Sequence, residues 1–280
     1  MTLVQSTLTE VPQAPPRVRL FGVEIDAVRM HEAVAHVLAW IEQRDGDCHY
    51  VVTPNVDHVV MLQTDEALRV AYAEAGLVLA DGAPLVAVSR LLGRGLPERV
   101  AGSDLVPALF QAAHDNDFPL RVFLLGGEPG VADRAAQNIR AAWPSVEVVA
   151  TASPPRGFER DVWQNAELLE AIEASRPDLL LVGLGAPKQE LWVYEHRQQI
   201  AAPVALCIGA TIDFLAGHRR RAPRWMRRCG LEWFYRVARE PRRLARRYLR
   251  DALIFPRLIW RELVAAKQPP SEHGLRGRRD

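Results

Sequence analysis

Asp178-Leu-Leu-Leu-Val-Gly-Leu184 runs directly into Gly185-Ala-Pro-Lys-Gln-Glu190. After Asp178 the run is wholly apolar, which suits a strand buried on both faces. The glycines make a tight turn, and Pro187–Gln199 then reads as a helix that opens with Lys188, Gln189 and Glu190. Short β-rich runs on either side repeat this pattern. Strands are expected at Leu20–Ile25, Cys48–Thr53, Leu77–Ala80, Arg121–Leu125, Val146–Ala150 and Val204–Ile208. Between them lie helical stretches at Met30–Glu42, within Val56–Ala75 (one or two helices), at about Pro84–Leu92, from a Ser103 cap to about Asp115, and at Pro129–Ala142 and Val162–Ala174. Doubly buried strands alternating with helices imply an α/β fold, a mostly parallel sheet with helices on both faces. In such sheets ligands sit beyond the carboxyl ends of the strands.

Those ends carry polar or glycine-rich signals. The second strand ends in Thr53-Pro54-Asn55, which puts a hydroxyl and an amide at the mouth or caps the next helix. The third ends in Ala80-Asp81-Gly82, where Asp81 is placed as a general base or as another cap. Arg99, in the polar loop Leu96–Asp104, can bind phosphate or pair with an acid. Gly126-Gly127-Glu128-Pro129-Gly130 would let backbone N–H groups approach an anion, or would form a plain turn. Gln189 follows the Gly183–Gly185 turn, and Gly209-Ala-Thr211, with Asp213 behind, follows the last core strand. Convergence of five such ends on one rim is what a nucleotide crevice requires. Asp45-Gly-Asp47 and Asp115-Asn-Asp117 precede strands and so read as turns on the opposite rim. The eight histidines form no metal-ligand spacing, and neither a metal nor another cofactor is expected.

Charge divides the chain. Residues 1–217 hold 16 Lys+Arg against 28 Asp+Glu, whereas residues 218–280 hold 19 basic residues against 6 acidic ones. His218–Arg250 alone contains 13 Arg, no Lys, and only Glu232 and Glu240 as acids. Arg242–Phe255 reads as a helix with Leu244, Tyr248, Leu249, Ala252 and Phe255 on one stripe and arginines largely opposite, a pattern suited to an anionic interface. The expected organisation is a disordered lead-in (1–16), an α/β core (17–217), an Arg-rich helical appendage that associates with membrane (218–262) and a disordered tail (263–280). The lead-in lacks the features of a signal peptide, and the most apolar stretch, Ala201–Gly217, is too short to span a bilayer. Three scattered cysteines suit a reducing cytoplasm.

The run from Thr53 to Leu105, together with FLLGGEPG (123–130), VGLGAPKQELW (182–192), IGATIDFLAG (208–217) and GLEWFYRVAREPRRLARRY (230–248), resembles the WecG/TagA/CpsF glycosyltransferases, glycosyltransferase family 26. The resemblance is collinear from about Leu20 to Arg250. It implies a Rossmann-like core and a helical appendage that completes the active site and touches the membrane. It also implies an inverting, metal-independent hexosyltransferase or N-acetylhexosaminyltransferase of bacterial cell-surface polysaccharide or teichoic acid synthesis. The donor would be a UDP-sugar carrying N-acetylmannosamine, its uronic acid, glucose or glucuronate, and the acceptor a polyprenyl-diphosphate-linked saccharide. By the same resemblance Asp81 is the catalytic base and Thr53 its essential neighbour. Arg99 and Gln189 are pocket residues, and Arg236, Arg243 and Arg246 close over the donor diphosphate. Asn55, Gly126 and Gly127 complete the expected substrate-binding set. The enzyme would sit peripherally on the inner face of the plasma membrane, with self-association left open. A nucleic-acid-binding protein that uses the Arg-rich tail is the alternative from another class; no recognition module accompanies that tail, so nucleic acid is not expected as a partner.

Overall fold

The computed structural model describes residues 12–223, 225–226 and 232–267, the side chains of Arg243 and Lys267 excepted. Most of the expected lead-in, the end of the expected tail, Cys229 and the Arg243 side chain thus lie outside the described residues. A hairpin of β1 (Arg17–Leu20) and β2 (Val23–Asp26) opens the described chain, pairing antiparallel with Leu20 opposite Val23. The single strand expected at Leu20–Ile25 is therefore two. Phe21 (φ 55°) and Gly22 (φ 83°) both adopt the left-handed region, which gives the two-residue turn that fits strand twist.

The main sheet is six-stranded and parallel. Its members are β3 (His49–Val52), β4 (Leu77–Val78), β5 (Leu120–Gly126), β6 (Val146–Ala152), β7 (Leu179–Gly183) and β8 (Val204–Cys207), in spatial order β4-β3-β8-β7-β5-β6. The alternation within β7 shows why both faces need cover. Leu180 and Val182 join one apolar cluster with Tyr50, Val52, Phe123 and Cys207, whereas Leu179 and Leu181 join another with Val51, Leu124 and Leu206. The second cluster is covered by α1 (Met30–Gln43), α5 (Gly102–Asp115), α6 (Val131–Ala142) and α9 (Thr211–Leu215). The first is covered by α2 (Val56–Leu62), α3 (Glu66–Ala73), α4 (Ala83–Leu91), α7 (Val162–Ser175) and α8 (Lys188–His196). Ser103 does not cap α5: the helix starts one residue earlier, and Ala101 is its cap residue.

Beyond the core lie α10 (Glu232–Arg239) and α11 (Pro241–Lys267). The latter continues past Phe255 and through Pro256. It lies on the body along α2: Leu244 and Leu258 are buried, and the Phe255 ring sits 5.2 Å from that of Phe21. Near its end Glu262 accepts hydrogen bonds from the Phe21 amide at 2.9 Å and from Arg94 at 2.7 Å. The stripe of Leu244, Tyr248 and Phe255 thus faces protein. Leu249, five residues after Leu244, lies about 140° around the helix and is 64 % exposed. A second apolar row faces outward instead, Leu249, Leu253, Trp260 and Val264, flanked by exposed Arg242, Arg246, Arg257 and Arg261. No described helix is long and apolar enough to cross a membrane.

The order β4-β3-β8-β7-β5 places a change of chain direction beside β8, and the strand ends there are crowded. A Cβ on Gly126 would lie 2.5 Å from the Gly183 carbonyl oxygen, and one on Gly183 would lie 2.8 Å from that of Gly209. Gly126 also has φ 118°. Gly126→Ala should therefore cost about 2 kcal/mol or more and lower the melting temperature by several degrees. Gly130→Ala, also at positive φ but with open space around it, should cost less; equal melting temperatures for the two variants would refute this account of β5.

Candidate active site

A cavity of about 580 Å³ opens at the carboxyl ends of β3, β4, β7 and β8 and is roofed by α10 and α11. Local chain geometry positions its floor. Pro54 ends β3, and its carbonyl accepts the Asp81 amide at 2.8 Å, which ties the β3 and β4 ends together. Thr53 lines the cavity while its hydroxyl donates to the Cys207 carbonyl at 3.3 Å, so it is oriented by β8. The Asn55 side chain accepts from the amides of Asp57 and His58 and N-caps α2, as one reading of the sequence expected. Gln189 accepts from the amides of Gly185 and Gly209, both at 3.1 Å, and so joins the β7 and β8 turns.

Beneath this floor is a buried polar network. Gln189 donates to Glu190 at 2.8 Å, and His58 Nε2 lies 3.4 Å from the same carboxylate oxygen. Glu190 is fully buried, and its other oxygen has no hydrogen-bond partner. Burial disfavours charge on the His58 imidazole, but the Glu190 carboxylate beside it outweighs that effect and raises its pKa.

Asp81 is the centre of the cavity's charges, and its side chain keeps 29 % exposure. Arg99 lies 3.6 Å from it and also meets Asp104 at 2.6 Å and Glu232 at 3.7 Å. Arg221 binds Asp104 through two contacts of 2.8 Å and reaches Glu232 at 3.5 Å. Glu232, the first residue of α10, is thus held to the body by two guanidinium groups. Enclosure pushes the Asp81 pKa up to about 6, aided by Glu232 and opposed by Arg99, Arg236 and His58. Such a carboxylate is ionised at neutral pH and is a stronger base than an exposed one.

Thr53, Asn55, Asp81, Arg99, Gln189 and Arg236, all expected from the sequence, line this cavity. Gly126, Gly127 and Arg246 do not. The two glycines serve close packing at the β5 end, where Gly126 abuts Gly183 and Gly127 abuts Val131. Arg246 is exposed on the outer side of α11, and its neighbour Arg247 faces the cavity instead. Lys188 pairs with Glu159 at 3.2 Å, and Asp213 pairs with Arg219 at 3.6 Å. Sequence reasoning missed Asp57, His58, Glu232, Arg247 and Asp251, all of which line the cavity. The i,i+4 spacing of Arg247 and Asp251, on the helical face that also carries Leu244, was the available signal. Among the described residues, no group of three or more His, Cys, Asp or Glu side chains is arranged to hold a metal ion.

Known proteins share this sequence pattern. The Glycosyl transferase WecG/TagA/CpsF family matches residues 18–269. Among curated proteins, the N-acetylglucosaminyldiphosphoundecaprenol N-acetyl-beta-D-mannosaminyltransferase of Staphylococcus aureus strain MRSA252 is 28 % identical over 230 residues, 82 % of this chain and 87 % of the relative. Its counterpart in strain MW2 is 27 % identical over the same shares. With a match over most of its length and a parallel α/β sheet beneath a helical appendage, the chain belongs to the WecG/TagA/CpsF family of glycosyltransferases.

Proposed function

We propose that the protein moves an N-acetylhexosamine from a UDP-sugar to a saccharide on a polyprenyl diphosphate, with inversion in a single displacement. The observation that carries this is Asp81, a carboxylate with its pKa pushed up to about 6, set among Arg99 and Arg236 in a cavity of about 580 Å³. The names of the two staphylococcal relatives support N-acetylmannosamine as the sugar and diphosphate-linked N-acetylglucosamine as the acceptor. In this reading Asp81 removes the proton from the acceptor hydroxyl as that oxygen attacks the anomeric carbon. The departing nucleoside diphosphate gains negative charge, and Arg236 and Arg99 neutralise it through paired N–H donors. Arginine suits this because its planar fork stays protonated. Thr53, held by its bond to β8, lies beside the acceptor, and Gln189 keeps the two glycine turns in place.

The outward row of α11 supports a peripheral site of action. Leu249, Leu253, Trp260 and Val264 would enter the interface of an anionic bilayer, with the flanking arginines contributing about 1 kcal/mol each. The roof of the cavity would then rest on the surface that holds the acceptor.

Asp81→Asn should lower turnover by about 10²–10⁴-fold, assayed with UDP-N-acetylmannosamine and a short-chain polyprenyl-diphosphate N-acetylglucosamine. Turnover near that of the unsubstituted protein would remove Asp81 from the base role. In the unsubstituted enzyme kcat/KM should fall about tenfold per pH unit below about pH 6, as Asp81 protonates.

The same raised pKa has a stability consequence. The folded state disfavours the charged carboxylate, so stability that Asp81 gives at low pH is lost as pH rises from about 4 through about 6. Asp81→Asn should therefore have a higher unfolding free energy than the unsubstituted protein at pH 7.5, by at most about 3 kcal/mol, seen as a higher melting temperature, and the gain should shrink toward zero near pH 4.

Sedimentation with phosphatidylglycerol vesicles at low salt should carry the protein down. Trp260→Glu with Leu253→Glu should leave it in the supernatant at an unchanged melting temperature. Undiminished binding by that double variant would exclude this face of α11.

A further inference from the structure

One end of the cavity holds a charge cluster that the proton-transfer chemistry does not use. Asp57, at the start of α2, lies 2.5 Å from Arg250 and 3.4 Å from Arg247. Asp251 accepts from Arg250 at 3.2 and 3.3 Å. Two carboxylates and two guanidinium groups balance to zero net charge. Asp251 Oδ2 and Arg247 Nε are nevertheless buried without hydrogen-bond partners in the described structure, and Asp251 as a residue is only 3 % exposed. Burial pushes the Asp251 carboxyl pKa up, and Asp57 adds to the rise. Asp57, Arg247 and Asp251 all line the cavity.

Two buried polar atoms without partners cost stability, and a rotation of the Arg247 and Asp251 side chains toward a ligand in the cavity they line would satisfy them. A diphosphate would seek net positive charge, which this cluster lacks. A neutral polyol both donates and accepts hydrogen bonds, so it can serve a carboxylate oxygen and a guanidinium nitrogen together. The adjoining wall suits a sugar ring. Tyr248 and Phe255 line the same end, the Arg247 guanidinium lies 5.1 Å from the Tyr248 ring, and Trp233 packs 6.0 Å from that ring. Apolar walls with a few placed polar groups are the usual make-up of small-molecule sites.

The cluster's place selects which sugar. Asp251 is on the inner side of α11, and Leu249 and Leu253 beside it in sequence are on the outer side. A helix is about 10 Å across, so the subsite is one helix thickness from the face assigned to lipid. Asp57 and Asp81 line the same cavity, with His58 also in its lining, so one bound acceptor can meet both. We infer that Asp57, Arg247 and Asp251 form the subsite that recognises ring hydroxyls of the acceptor's terminal sugar. The inference rests on the glycosyl-transfer reading above and adds the residues that select the acceptor.

The test is steady-state kinetics of full-length Asp251→Asn with UDP-N-acetylmannosamine and short-chain polyprenyl-diphosphate N-acetylglucosamine, alongside acceptors that lack single ring hydroxyls. Asp251→Asn should raise the acceptor KM about 10- to 100-fold and leave the donor KM unchanged. At least one deoxy acceptor should be penalised about as strongly by the unsubstituted enzyme, and Asp251→Asn should no longer distinguish it from the parent acceptor. A merely structural ion pair would lower the melting temperature without erasing that discrimination. If Asp251→Asn does not fold, Arg247→Lys, which keeps the charge and loses the planar fork, takes the same measurements. Unchanged acceptor KM, a raised donor KM, or discrimination retained in the variant would overturn the subsite while transfer by the unsubstituted enzyme kept the broader reading intact. Failure of the unsubstituted enzyme to glycosylate any polyprenyl-diphosphate acceptor would overturn both.

Discussion

Asp57 meets Arg250 across 193 positions of sequence, and the closure of the cavity depends on that contact. The carboxylate is at the first turn of a helix, where partial positive charge already favours it. Arg247 and Arg250 reach it from a segment that would otherwise be a free basic tail. An ion pair alone adds little net stability once desolvation is counted. Its value here is geometric, because it sets the rotation of α11 about its own axis. With that rotation set, Leu244, Phe255 and Leu258 meet the body, and Arg246 and Leu249 turn outward. The acidic core and basic appendage evident in the composition are the two halves of this contact, seen before folding.

The roof in turn defines the electrostatics beneath it. Glu232 is part of α10, yet it shares Arg99 with Asp81. The Asp81 carboxyl is therefore tuned by a group that arrives only when the appendage is docked. Arg236 from the same helix acts in the opposite sense. The pKa of about 6 belongs to the assembled cavity and not to the sheet alone.

The layered α/β architecture could be read from the sequence because burial on both faces leaves unbroken apolar runs, as in Leu179–Val182. The rim residues Thr53, Asp81 and Gln189 could be read for a related reason: a parallel sheet gathers its strand ends, so one register error does not scatter them. Other features escaped. The turn at Phe21-Gly22 was hidden because apolar residues continue on both sides of it. Gly126 and Gly127 could be read as an anion loop or as a plain turn, and neither reading foretold that a side chain would meet Gly183 at the first and Val131 at the second. Asp57 and Asp251 were unremarkable acids in sequence, since their relation exists only after α11 lies along α2. The phase of that helix was the missing quantity. A stripe drawn on an isolated amphipathic helix does not say which of two apolar rows meets protein.

The side chains of Gln189 and Glu190 have a mechanical consequence. One amide oxygen clasps two turns, and the neighbouring carboxylate lies against His58, so two turns and the start of α2 are braced as a single plate. A plate of this kind cannot reshape itself around each new guest. In the proposed reaction, accommodation of differently shaped saccharides falls to the opposite wall, where α10 and α11 are held by side-chain contacts. On that proposal substrate range is a property of the ceiling, and the bedrock below supplies a fixed frame.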